Sequence, residues 1–135
     1  VTAQKGDAVS TEPAHTDDVQ DLTIALAAGD AQALGDDVQL LATLFGSALH
    51  GIALLRTGGA SVDELAAAIE GTTGLLERLK AAQHAQVRQF DAQGGSHGSL
   101  GKAMGVTRAT AQSRRRLVLK EPPSDLEQWA TGSTS

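Results

Sequence analysis

Six cations, Lys102, Arg108, Arg114, Arg115, Arg116 and Lys120, lie between Ala92 and Lys120 with no acid among them. The whole chain carries −5, so the remaining five cations face sixteen acids, a balance of −11. Guanidinium and ammonium groups gathered this closely suit the neutralisation of phosphates. Two neighbouring types can also read bases: arginine bridges guanine O6 and N7, and glutamine bridges adenine N6 and N7. Arg108 and Gln112 supply one of each. A solvated helix end would also accept Arg114 to Arg116, because cations suit the negative end of the helix dipole. The absence of acids and the "GVTR" turn that precedes the run favour an anionic partner over that bland account.

Local hydrogen-bonding rules predict the elements that hold these groups. Ser96 is placed to cap a helix over about 97–104, with Leu100 and Ala103 or Met104 facing inward. Gly105 supplies the positive φ of a sharp turn, Val106 fills the angle, and Thr107 caps the next helix. That helix runs from about Arg108 past Leu117, with Ala111 small enough for close packing. Two short helices about a glycine turn make a helix-turn-helix, whose second helix enters the DNA major groove.

The stretch "SHGSLGKAMGVTRATAQSRRR" resembles the helix-turn-helix of small actinobacterial DNA-binding proteins, where an S-W-x-x-I-G-x-A-L-G-V-S-R-Q-A-A-x-x-R type pattern follows a long helix. Ser96, Leu100, Gly101, Ala103, Met104, Gly105, Val106, Thr107, Arg108 and Ala111 fall on that pattern, and His97 stands where tryptophan is usual. The match covers about 25 residues strongly and the preceding long helix loosely, and says nothing about residues 1–60. It implies a sequence-specific double-stranded DNA-binding protein with helix 108–117 in the major groove. On the recognition helix so placed, Arg108, Ala109 and Gln112 are the expected base contacts. Lys102, Thr107, Ser113, Arg115, Arg116 and Lys120 are the expected phosphate contacts. Arg114 falls where such helices turn a residue inward, so its expected partner is an acid of the body.

The rest of the sequence predicts an all-α fold of five or six helices: a bundle with long dimerisation helices and a C-terminal helix-turn-helix. Only Phe45, Phe90 and Trp129 are aromatic, so the core must be built from Ala, Leu, Ile and Val. Residues 1–16 are expected to be a disordered tail, residues 17–93 the helical body, 94–120 the DNA-binding region, and 121–135 a short helix and tail. A first helix is expected over "DDVQDLTIALAAG", capped by Asp17 or Asp18 and stopped at Gly29. Val38, Leu41, Phe45, Ala48, Ile52 and Leu55 then step by threes and fours up to "TGG". Ser61 and Glu64 form a capping box that opens a second stripe, Val62, Leu65, Ile69, Thr72, Leu76 and Leu79, reaching toward Gly94. Such a helix outruns its own core, which points to a homodimer seam at Val38, Leu41, Phe45, Ile52, Leu55, Val62, Leu65, Ile69, Leu76 and Leu79. Gly71 and Gly74 inside it mark either a kink or a close helix crossing. Ser124 with Glu127 opens a last short helix carrying Leu126 and Trp129.

Other chemistry is poorly supported. "GGSHG" fits a nucleophile-elbow pattern but follows a helix instead of a strand. "SHGSLGKA" lacks the first glycine and the Ser/Thr of a phosphate loop. There is no cysteine, and His15, His50, His84 and His97 lack metal-ligand spacing. No enzyme activity, cofactor or metal is expected. No apolar run is read as a membrane span of ~20 residues, so no membrane partner and a cytoplasmic, nucleoid-associated location are expected. No small-molecule effector is indicated. A homodimeric transcriptional regulator reading an inverted repeat is the leading expectation. A plasmid-partition or nucleoid-organising protein would use the same motif. A helical adaptor or anti-sigma-like module without DNA binding is the alternative of a different class.

Overall fold

The computed structural model describes residues 2–4 and 19–133, and the chain divides into two compact units, 1–40 and 41–135. In the first unit β1 (Thr2–Gln4) pairs antiparallel with β2 (Asp21–Thr23), Ala3 opposite Leu22. A short helix, α1 (Ala28–Leu34), follows. Two expectations are corrected here. Within the segment read as a first helix ending at Gly29, Asp21–Thr23 is a strand, and the helix only begins at Ala28. Leu22, Ile24 and Leu26 alternate with period two, which is the spacing of a strand. The tail expected to be disordered over 1–16 contains the partner strand Thr2–Gln4. Its remaining residues, and the caps proposed at Asp17 and Asp18, lie outside the described residues.

The second unit is helical, and the chain as a whole is mostly so. Helix α2 (Asp37–Thr57), whose first turn belongs to the first unit, ends at the predicted Thr57, where Gly58 and Gly59 both take positive φ. Ser61 and Glu64 make the reciprocal capping box, with Glu64 N–H donating to Ser61 Oγ at 3.1 Å and Ser61 N–H to Glu64 Oε1 at 3.0 Å. Helix α3 (Val62–Ala92) then runs 31 residues without interruption, about 46 Å at ~1.5 Å per residue.

Gly71 and Gly74 therefore mark no break. A Cβ at Gly71 would overlap Ser47, one at Gly51 would lie 3.3 Å from Ala68 Cβ, and one at Gly74 would lie 3.7 Å from Leu44 Cδ2. Position 51 faces 68, 47 faces 71 and 44 faces 74, so α2 and α3 cross antiparallel through small residues. The larger residues of the expected seam are turned elsewhere. Val38, Leu41 and Leu65 are half-buried, while Phe45, Ile52, Leu55, Val62, Ile69, Leu76 and Leu79 are exposed, Val62 at 81% and Ile69 at 66%. Helix α2 is also long and apolar enough to cross a membrane by length and composition, which corrects the reading that no such run exists.

The core sits at the far end of α3. Val87 packs with Leu100 of α4 (His97–Met104) and Ala111 of α5 (Arg108–Lys120), and Phe90, Met104, Val106 and Val118 close around them. The short α6 (Asp125–Ala130) packs on α3. Its capping box is formed as read, with Glu127 N–H donating to Ser124 Oγ at 3.1 Å and Ser124 N–H to Glu127 Oε2 at 3.2 Å.

The α6 contact is polar at its centre. Arg88 Nε donates to Glu127 Oε1 at 2.6 Å, and the Arg78 guanidinium lies 5.4 Å from the Trp129 ring centroid. Burial pushes the Glu127 carboxyl up, but the Arg88 hydrogen bond, the Ser124 backbone N–H, the charge of Arg88 and the Ser124 hydroxyl outweigh it. The group is held below the ordinary glutamate value of about 4.5. A depressed folded-state value contributes stability that is present above the unfolded value and lost as pH falls through the folded one. Docking of α6 should thus be constant from neutral pH down to about 5 and loosen below about 4.5. Fluorescence of Trp129, the single tryptophan, reads this directly, and Glu127→Gln should remove the pH step.

Candidate nucleic-acid interface

Helices α4 and α5 meet across a turn set by glycine and two caps. Ser96 Oγ accepts from Ser99 N–H at 3.1 Å, and Thr107 Oγ1 accepts from Thr110 N–H at 3.1 Å. Between them Gly105 sits in the left-handed region at φ 69°, ψ 32°. The second glycine of the motif has a different task. A Cβ at Gly101 would lie 3.0 Å from the Val106 carbonyl oxygen and 3.2 Å from that of Thr107, so its hydrogen lets α4 lie directly on the turn. Val106 N–H donates to the Gly101 carbonyl at 2.9 Å across that contact. Ala111, wholly buried, allows the matching approach from α5.

A step of about 100° per residue then fixes the faces of α5. Ala111, Arg115 and Val118 turn toward α3 and α4. Ala109, Ser113, Arg116 and Lys120 turn the opposite way, Gln112 lies at the edge of that face, and all are exposed, as are Arg108 at the first turn, Thr107 at the cap and Lys102 on α4. Eight of the nine residues singled out as base or phosphate contacts therefore reach solvent on or beside one helix face.

The ninth is Arg115, and its assignment as a phosphate contact is corrected. It is 8% exposed, with Nη2 at 2.7 Å from Asp91 Oδ1 and 2.8 Å from the Gly95 carbonyl oxygen, while Nε donates to the same Asp91 oxygen at 2.9 Å. The guanidinium also lies 5.6 Å from the Phe90 ring centroid, and Nη1 is 3.5 Å from His97 Nδ1. The inward arginine is thus Arg115, one position later than expected, and Arg114 is exposed. This cluster was not legible as a site in the sequence. Its only signal is that Asp91 stands directly before the acid-free segment.

The arrangement clamps α5 to α3: one side chain ties α5 to the end of α3 and to the Gly94–Gly95 link before α4. Replacing Arg115 with methionine keeps the stem and removes every polar contact, so it should cost about 1–3 kcal/mol in chemical denaturation. Asp91 is part-exposed and stays hydrated when it loses its partner, which keeps the cost below that of a fully buried pair. Asp91→Asn should cost less than Arg115→Met. Five free cations remain in the segment, Lys102, Arg108, Arg114, Arg116 and Lys120, and none forms an ion pair among the described residues. No protein-family model, curated protein or solved structure matches the chain.

Proposed function

We propose that this chain is a sequence-specific double-stranded DNA-binding protein, a homodimeric transcriptional regulator that lays α5 in the major groove. The observation that carries the reading is the α4–turn–α5 unit. Its glycine turn, its Thr107 cap and its Gly101 contact hold a rigid helix whose outer face bears Gln112, Arg116 and Lys120 without any acid. Rigid support matters because base contacts succeed only when donors and acceptors meet in a fixed register. Arg108 and Gln112 are proposed to read bases, with Ala109 packing beside them. Lys102, Thr107, Ser113, Arg116 and Lys120 are proposed to hold phosphates. The acidic remainder of the chain keeps other surfaces away from the duplex.

Dimerisation is supported by the unpartnered face of the α2–α3 hairpin. Phe45, Leu49 and Ile52 lie about a third of a turn from the side of α2 that meets α3. Val62, Ile69, Leu76 and Leu79 lie a similar offset, in the same sequence sense, from the side of α3 that meets α2. Because the two helices are antiparallel, equal senses of offset fall on the same side of the hairpin. The two stripes therefore merge into one apolar face. Each such side chain gains about 1.5–3 kcal/mol on full burial. A symmetric contact covering the face on two copies can then offset the roughly 4–15 kcal/mol lost on association. A second hairpin completing a four-helix bundle also accounts for the apolar character of α2 without a bilayer.

Substitution separates the two kinds of contact. Arg108→Ala should cost roughly 1–3 kcal/mol on the preferred duplex and relax preference at one base pair. Arg116→Ala should weaken all duplexes alike and lower the salt slope by about 1. Competition binding with single-base variants of the duplex checks both. An unchanged base preference in Arg108→Ala would overturn the register assigned to α5. An adaptor without DNA binding should show no preference for duplex over heparin at low salt.

A further inference from the structure

A cleft of about 460 Å³ opens between α3, α5 and α6. Four basic side chains border it, and they divide into two kinds. Arg88 and Arg115 are committed, to Glu127 at 2.6 Å and to Asp91 at 2.7 Å. Lys80 on α3 and Arg114 on α5 form no ion pair or hydrogen bond among the described residues, and both line this cleft from different helices. Only Glu121 adds an unpaired carboxylate, so the free charge around the cleft is +1, with His84 beside it. The lining also includes an apolar set, Val87, Met104, Val118 and Leu117, the last 64% exposed.

We propose that this cleft binds a small organic monoanion, a carboxylate carried on an aliphatic or ring body. Lys80 and Arg114 would receive the carboxylate, and Val87, Met104 and Val118 would cover the body. The volume falls in the range of small-molecule sites, about 300–1,000 Å³, where an apolar wall with a few convergent polar groups is the usual composition. A net charge of +1 and the nearby Glu121 favour a monoanion over a phosphate dianion. Arg114 does not belong to the proposed DNA face: it lies nearly half a turn from Gln112, and about a third of a turn from both Arg108 and the Ala109, Ser113, Arg116 and Lys120 side of α5. The occupant would touch α3, the Met104 end of α4 and the back of α5 together, so its binding would shift the helix that is proposed to read DNA. That coupling rests on the DNA-binding reading; occupancy of the cleft does not.

Octanoate, titrated into the isotope-labelled full chain and followed by amide chemical shifts, tests this. Saturable shifts are expected at Val87, Leu117 and Val118 with a Kd on the order of 1 mM. Octanol, with the same chain and no charge, should bind more weakly. Arg114→Gln and Lys80→Gln should each weaken octanoate by about fivefold, the upper size of one exposed ion pair. Arg116→Gln, on the other face, should leave it unchanged, and far-UV spectra of each variant report folding. The proposal is overturned if no shift saturates by about 20 mM, if octanol binds as tightly, or if Arg116→Gln weakens octanoate as much as Arg114→Gln. Saturable octanoate binding in a chain that fails to bind duplex would leave this site standing and remove the DNA reading alone.

Discussion

Changing Leu76 and Leu79 together to glutamate should convert a dimer into a monomer and abolish tight DNA binding. Both side chains are more than half exposed in the single chain, at 62% and 54%, so their replacement removes little packing within one copy. In a dimer that buries the α2–α3 face, the same change sets four carboxylates into an apolar contact without partners, each costing several kcal/mol. The core of Val87, Leu100 and Ala111 lies two turns or more further along α3, so the α4–turn–α5 unit should persist. Sedimentation at about 20 µM should show a dimer for the unmodified chain and a monomer for the variant. Far-UV helicity should fall only modestly. Duplex affinity should drop much further than the recognition helix itself would explain, since one helix reads only a few base pairs and two are needed for an inverted repeat. A variant that stays dimeric would place the contact on another surface.

Gly101→Val should abolish DNA binding by a different route. The added side chain meets backbone atoms, Val106 O, Thr107 O and Arg108 N at 3.0, 3.2 and 3.3 Å, which cannot swing aside as a flexible side chain can. Helix α5 must then move off α4, at about 1–3 kcal/mol of overpacking. A displaced α5 would lose the base contacts proposed for it, each worth about 1–3 kcal/mol, so a hundredfold or greater loss of affinity is expected. Gly98→Ala is the control. It lies on the same helix, nothing stands within 4 Å of its added Cβ, and affinity should stay close to that of the unmodified chain. Equal affinity in Gly101→Val would mean that α4 and α5 do not act as one rigid unit on DNA.

The parts of this fold that could be read in advance are those governed by neighbours in sequence. The caps at Ser61, Ser96, Thr107 and Ser124, and the positive φ at Gly105, follow from hydrogen bonds that close within four residues. What escaped reading depends on distant partners. Choosing Arg115 over Arg114 is a rotation of about 100°, and it is decided by Asp91, 24 residues earlier. The α2–α3 crossing uses Gly51, Ala68 and Gly71, whereas the stronger hydrophobic signal lies at Phe45 and Ile52. Small residues carry weak hydrophobic signal but allow the closest approach, so the larger stripe is left facing outward. At Leu22, Ile24 and Leu26 the period-two pattern of a strand competes with Asp17 and Asp18, residue types that also suit a helix cap. The cleft between α3, α5 and α6 joins residues up to 47 positions apart, Lys80 to Glu127, with no shared motif.

Duplex selection tests the central claim most directly. Random double-stranded DNA would be incubated with the full chain at low salt, and bound molecules recovered, amplified and sequenced over several rounds. An inverted repeat should be enriched, with half-site centres one helical turn or a small multiple apart, about 34 Å per turn. Its affinity should fall steeply as salt rises, because Lys102, Arg116 and Lys120 on each copy displace counterions from phosphates. Recovery of no enriched sequence, together with no duplex retention even at low salt, would contradict the placement of α5 in the major groove.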